Sequence, residues 1–164
     1  MQTRLKRACL SAAFAGAFAA ALAGAVLAQA PDPQVGTWKL NLAKSKYSPG
    51  PAPTSATTQI EAAGAGTKVI VDQSPADGVI RHWEFTANYD GKDVPVTGNN
   101  PDADMIARTR VDASTVKSIS KKGGNVTTTQ TSAVSSDGKT RTVTTTGTNG
   151  AGQTVNNVAV YDKQ

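Results

Sequence analysis

VGTWKL, residues 35–40, is the stretch on which the fold turns. Read with a period of two, Gly36, Trp38 and Leu40 share one face, while Thr37, Lys39 and Asn41 share the other. That alternation predicts a half-buried strand with an indole on its inner side. LAKSKY (42–47) has room for one helical turn, and SPGPAP (48–53) cannot be regular because its prolines remove amide donors and fix φ. From Ser55 onward short runs alternate with turn signals: GAG (64–66), ADG (76–78), DGKD (90–93), NNPDAD (99–104), DAS (112–114), KGG (122–124), SDGK (136–139) and NGAG (149–152). The runs between them, at 55–63, 67–73, 79–87, 94–97, 104–111, 115–121, 125–134, 140–147 and 153–162, predict strands. Connections this short join antiparallel neighbours.

The expected fold class is therefore all-β: an antiparallel up-and-down meander barrel of 8–10 strands, lipocalin-like, after a cleaved N-terminal signal peptide. Closure removes the exposed edges of so long a sheet, so a barrel is preferred to a meander sandwich. The chain before the barrel has a different character. MQTRLKR carries three positive charges and no acid, and residues 8–28 carry no charge at all, the layout of a secretory signal peptide. The expected organisation is a signal peptide over 1–28, a flexible lead over 29–34, and one barrel domain over 35–164. Cleavage after Ala28 is preferred to cleavage after Ala30, which would leave Pro31 behind the cut; an uncleaved anchor is the alternative. The expected location is the periplasm or the extracellular medium, with no stable membrane insertion after cleavage.

Removing 1–28 takes away Cys9, so disulfides, thiol catalysis and thiolate metal sites are excluded from the remaining chain. It also takes away Arg4, Lys6 and Arg7, leaving 14 basic residues against 12 acids. The net charge of +5 thus becomes +2, which gives no argument for nucleic acid as a partner. The remaining chain holds 20 threonines, 14 valines and only six aromatics. Such a composition suits strands and predicts either modest stability or an interior that is partly polar.

The resemblances follow from the two ends. Gly-x-Trp at Gly36-Thr37-Trp38 resembles the first strand of lipocalins and their calycin relatives. VGTWKL is similar to the opening of intracellular fatty-acid-binding proteins, and VAVYDK (158–163) to their closing strand. GTWKLNLAKSKYSPGPAP, YDGKDVPVTGNNPDAD and GTNGAGQTVNNVAVYDK together resemble small exported bacterial proteins of unknown function described as lipocalin-like. The resemblance implies that Gly36 and Trp38 close the barrel base. It does not extend to fatty-acid binding: no lid of two helices fits between Leu42 and Pro53, and Ala159 stands where an arginine would anchor the carboxylate. The final strand also lacks the arginine that lipocalins stack on their tryptophan.

In GVIRHWEFTA, Val79, Arg81, Trp83, Phe85 and Ala87 share a face. A guanidinium beside an indole can hold an anionic or aromatic ligand, so Arg81, Trp83 and Phe85, with Tyr161 on the last strand, are the ligand-binding candidates. The competing expectation is that Arg81 snorkels at the rim or pairs with a carboxylate such as Glu61 or Asp72. His82, the sole histidine, faces outward, and one histidine makes no typical zinc site. NNPDAD departs from a calcium loop, with Met105 at its glycine position and Val111 at its twelfth, so its acids are expected to cap turns. The threonine face Thr140, Thr142, Thr144 and Thr146 reads as solvated or cavity-lining. No catalytic residue, metal site or cofactor is expected. The leading function is a carrier or binder of a small, partly polar or anionic molecule, requiring a cavity of some 300 Å³ or more. The alternative is an inhibitor-like or structural module that docks a protein partner through its loops and has no cavity.

Overall fold

A computed structural model of the chain describes residues 31–164; the expected signal peptide and its cleavage sites lie outside the described residues. Eleven strands form one antiparallel sheet among them: β1 (Gly36–Leu40), β2 (Ser55–Ala63), β3 (Gly66–Ser74), β4 (Arg81–Asn88), β5 (Asp90–Pro95), β6 (Thr97–Gly98), β7 (Met105–Arg110), β8 (Thr115–Lys122), β9 (Asn125–Val134), β10 (Thr140–Thr148) and β11 (Thr154–Lys163). The order around the sheet is β5-β7-β8-β9-β10-β11-β1-β2-β3-β4-β6. First and last strands pair, with Trp38 opposite Lys163 and Leu40 opposite Tyr161, so the sheet curls into a nearly closed meander barrel. A 3-10 turn, Leu42–Lys44, is the sole helical element among the described residues, capped by the Asn41 side chain.

Two expectations are corrected. The run 94–97 is not one strand, because the chain straddles a seam there. β5 hydrogen-bonds to β7 and β6 to β4, and no backbone ladder joins the two edges. This split gives eleven strands in place of the eight to ten expected. The lead, expected to be flexible over 29–34, is tied down where it is described. Gln34 is fully buried, its amide donating to the Ser114 and Ser132 carbonyls at 2.7 and 3.2 Å. The Ser132 hydroxyl donates back to Gln34 at 2.9 Å. A buried amide with its hydrogen bonds made is a lock, since breaking them strands polar groups away from water.

Trp38 sits on this lock. Its indole is fully buried and donates to the Gln34 carbonyl at 2.9 Å, packed with Ile60, Val69 and Val134. Among the described residues no arginine covers it, but Lys163 does, its ammonium 5.1 Å from the ring centroid. Gly36 makes this cover feasible. Its φ is +140°, and a Cβ there would come within 2.6 Å of Lys163 Cε. Gly36→Ala is therefore expected to cost about 1–3 kcal/mol, read as a lower thermal midpoint. Adding Lys163→Ala relieves the contact but not the backbone, so full recovery in the double variant would refute the backbone argument.

Candidate functional site

Inward-facing residues of the meander enclose a cavity of about 520 Å³. Its mouth is bordered by Pro49 to Pro53, Pro75 to Asp77, Asn100 to Asp102 and Asn149 to Gln153. Its base is the Trp38 cluster. Alternation along β10 turns Arg141, Val143 and Thr145 inward, leaving Thr140, Thr142, Thr144 and Thr146 outside. On β7 the inward set is Ile106 and Arg108.

Arg141 and Arg108 are the residues that set the cavity's character. Each is almost wholly buried, at 8% and 2% exposure, and neither forms an ion pair among the described residues. The Nε of Arg141 donates to the Ser132 hydroxyl at 2.7 Å, and its guanidinium lies 5.6 Å from the centroid of the Tyr161 ring, the cross-strand neighbour. Its two Nη groups meet no acceptor among the described residues. Burial pushes its pKa down to about 10, still far above neutral, so the charge is retained. Arg108 donates to the Thr67 hydroxyl at 2.5 Å and lies 5.1 and 5.9 Å from the Tyr89 and Phe85 ring centroids. Its Nε is buried without a partner. Thr67 and Phe85 belong to strands on the far side of the seam, so this side chain stitches the edge that backbone pairing leaves open. Burial also lowers the pKa of Arg108, and burial raises that of the Tyr161 hydroxyl against the pull of Arg141.

The acid whose charge acts on Arg108 is used elsewhere. Asp32 is held by Arg110 through both oxygens and by the Tyr89 hydroxyl at 2.6 Å, with Arg110 stacked 3.9 Å over the Tyr89 ring. Burial alone would raise the Asp32 pKa, but the bonds from Arg110, Tyr89 and the Gln34 amide hold it below its ordinary value. A carboxyl so held contributes stability above its ordinary pKa and loses it as pH falls through the lowered one. Asp32→Asn is thus expected to be less stable than wild type at pH 7 by about 1–3 kcal/mol. That gap should narrow below about pH 4, as urea titrations at several pH values would show. A gap constant down to pH 2 would contradict the assignment.

The sequence candidates fall at two depths. Phe85 and Tyr161 lie deep, against Arg108 and Arg141 respectively. Arg81 and Trp83 line the cavity nearer the mouth. Arg81 pairs with neither Glu61 nor Asp72; it meets Asp77 at 2.6 Å on the loop before its own strand, while Asp72 bonds the outward His82 at 2.7 Å. Gly36 and Trp38 stand at the base, outside the cavity lining. Arg108 and Arg141 were missed, although strict alternation against the threonine face would have turned Arg141 inward. Asp102 and Asp104 accept backbone amides of Gly150 and Gly123, both at 2.8 Å, and fasten turns.

Fold and site together define a meander barrel with a cationic, partly polar interior. No family model and no curated protein matches the chain. Among solved structures it is similar to a zebrafish ileal bile acid-binding protein crystallised with cholic acid. That likeness has 13% identity and a TM-score of 0.46, over 80% of this chain and 99% of that one. The barrel assignment rests on the strand pairing rather than on this likeness.

Proposed function

We propose that the protein is an exported carrier or receptor that holds a small organic anion inside the barrel, acid group down toward Arg141. One observation carries this reading: Arg141 is buried in a cavity of about 520 Å³ with two nitrogens that meet no acceptor among the described residues. A guanidinium taken out of water with so few partners is costly for the empty protein. A carboxylate, sulfonate or phosphate offers it two parallel charge-assisted hydrogen bonds. The volume lies within the range of small-molecule sites. Export rests on the basic and apolar pattern of residues 1–28. Displacement of a fluorescent anilinonaphthalene sulfonate tests the binding reading. Dodecanoate is expected to displace it at least tenfold better than dodecanol, and equal potency would overturn the reading.

The docking alternative is favoured by one feature. Val79 and Ile80, 58% and 71% exposed, stand on the loop that borders the mouth. An exposed apolar pair there suits a protein partner docked at the loops, and such docking makes no use of the interior.

A further inference from the structure

The cavity has two unlike walls. On β3 and β4 the inward cross-strand pairs are Val69 with Phe85 and Val71 with Trp83. On β8, β9 and β10 one row reads Ser118, Gln130, Thr145, with Ser120 and Thr128 beside it. These strand sets lie opposite one another, separated by β11, β1 and β2 in one direction and by β7, β5, the seam and β6 in the other. Ser118, Ser120 and Thr128 are each more than nine-tenths buried, yet their hydroxyls have no hydrogen-bond partner among the described residues. None of the three is sealed from the cavity, for the buried side-chain atoms without partners are those of Asp104 and Arg108. A strand face that only had to fill a core would carry valine at these positions, which has the shape of threonine without its polar group.

We infer that the ligand is a facially amphipathic anion: its acid group meets Arg141, one side of its body is bare hydrocarbon or ring, and the opposite side carries hydroxyl or carbonyl groups. This rests on the anion-binding reading and narrows it. The apolar side lies along Val71, Trp83 and Phe85. The oxygenated side exchanges hydrogen bonds with Ser118, Ser120 and Thr128. A uniformly apolar tail would strip water from those hydroxyls and return nothing, which is how a polar site rejects a ligand lacking the matching group.

The test compares stearate with 9,10-dihydroxystearate as competitors of the same fluorescent sulfonate, on the wild-type chain and on a Ser118→Ala, Ser120→Ala, Thr128→Val variant. Wild type is expected to prefer the diol at least fivefold. The triple variant is expected to bind stearate more tightly than wild type does and to lose the preference, with an unchanged circular dichroism spectrum. A diol preference that survives in the triple variant would overturn the inference. So would equal binding, or a preference for stearate, in wild type; loss of both affinities in Arg141→Met would then show that anion binding stands without it. If neither acid competes with wild type, the underlying anion reading falls, and this inference with it.

Discussion

Arg141→Met is expected to make the protein more stable and unable to hold its anion. The substitution keeps most of the side-chain length and removes a charge that burial already disfavours. Ser132 is not orphaned by the change, because its hydroxyl still donates to Gln34. Replacing buried charge by packed hydrocarbon is often stabilising; about 1 kcal/mol is expected here, or roughly 3–5 °C in the thermal midpoint. Removing one partner of a buried charged contact costs about 2–5 kcal/mol of binding, hence roughly 30-fold or more in affinity for an anionic probe. Arg108→Met separates the two roles. It should weaken binding too, but it also leaves Thr67 without its donor and removes the cation over Tyr89 and Phe85 at the seam. Its melting point is expected to fall, by about 1–2 kcal/mol in stability. Opposite signs for the two arginines in calorimetry, with affinity loss in both, is the result that fits. A destabilised Arg141→Met with unchanged affinity would make Arg141 a structural residue and sink the site.

Trp38→Ala should have the largest effect on stability of any single change. The indole is fully buried against Ile60, Val69 and Val134, and its N–H satisfies the carbonyl of Gln34. Truncating a buried aromatic costs about 3–5 kcal/mol, much of the margin of a small domain. The Gln34 carbonyl loses its donor, and Lys163 loses the ring it covers. Trp38→Phe keeps much of the volume and deletes the N–H, so about 1–3 kcal/mol is expected. Urea unfolding measures both, with Trp83 left as the fluorescent reporter. If alanine and phenylalanine cost the same, the hydrogen bond to Gln34 would dominate and the plug would be less a matter of packing than of locking.

The meander could be read from the chain because its turns use residues that only turns need, and because alternation in VGTWKL and RHWEF is clean. Arg81, Trp83 and Phe85 share the cavity face for that reason. The seam could not be read. Val94, Pro95, Val96 and Thr97 look like one short run, and nothing local says that the chain leaves one edge of the sheet and joins the other within it. The cavity arginines were hidden differently. An arginine among threonines on an antiparallel strand is ordinarily a solvent residue, and only the parity of the whole strand says otherwise. The partner of Arg81 escaped for a third reason. The apolar pattern starts a strand at Val79, two residues before the true start at Arg81, and so conceals the loop that Asp77 shares with Val79 and Ile80.

The pairing of β1 with β11 has a kinetic consequence. Trp38 finds Lys163 across almost the whole length of the domain, so its cover is among the last parts of the barrel to be made. A chain that emerges amino end first can form hairpins from β2 onward as it goes, yet it cannot seal its base until β11 arrives. Barrels built on such distant contacts fold slowly, in milliseconds to seconds. Until then Trp38 remains uncovered and the arginine-lined interior stays open to water. The ring and its lysine thus act as a clasp whose two halves are delivered by the first and last strands of the barrel.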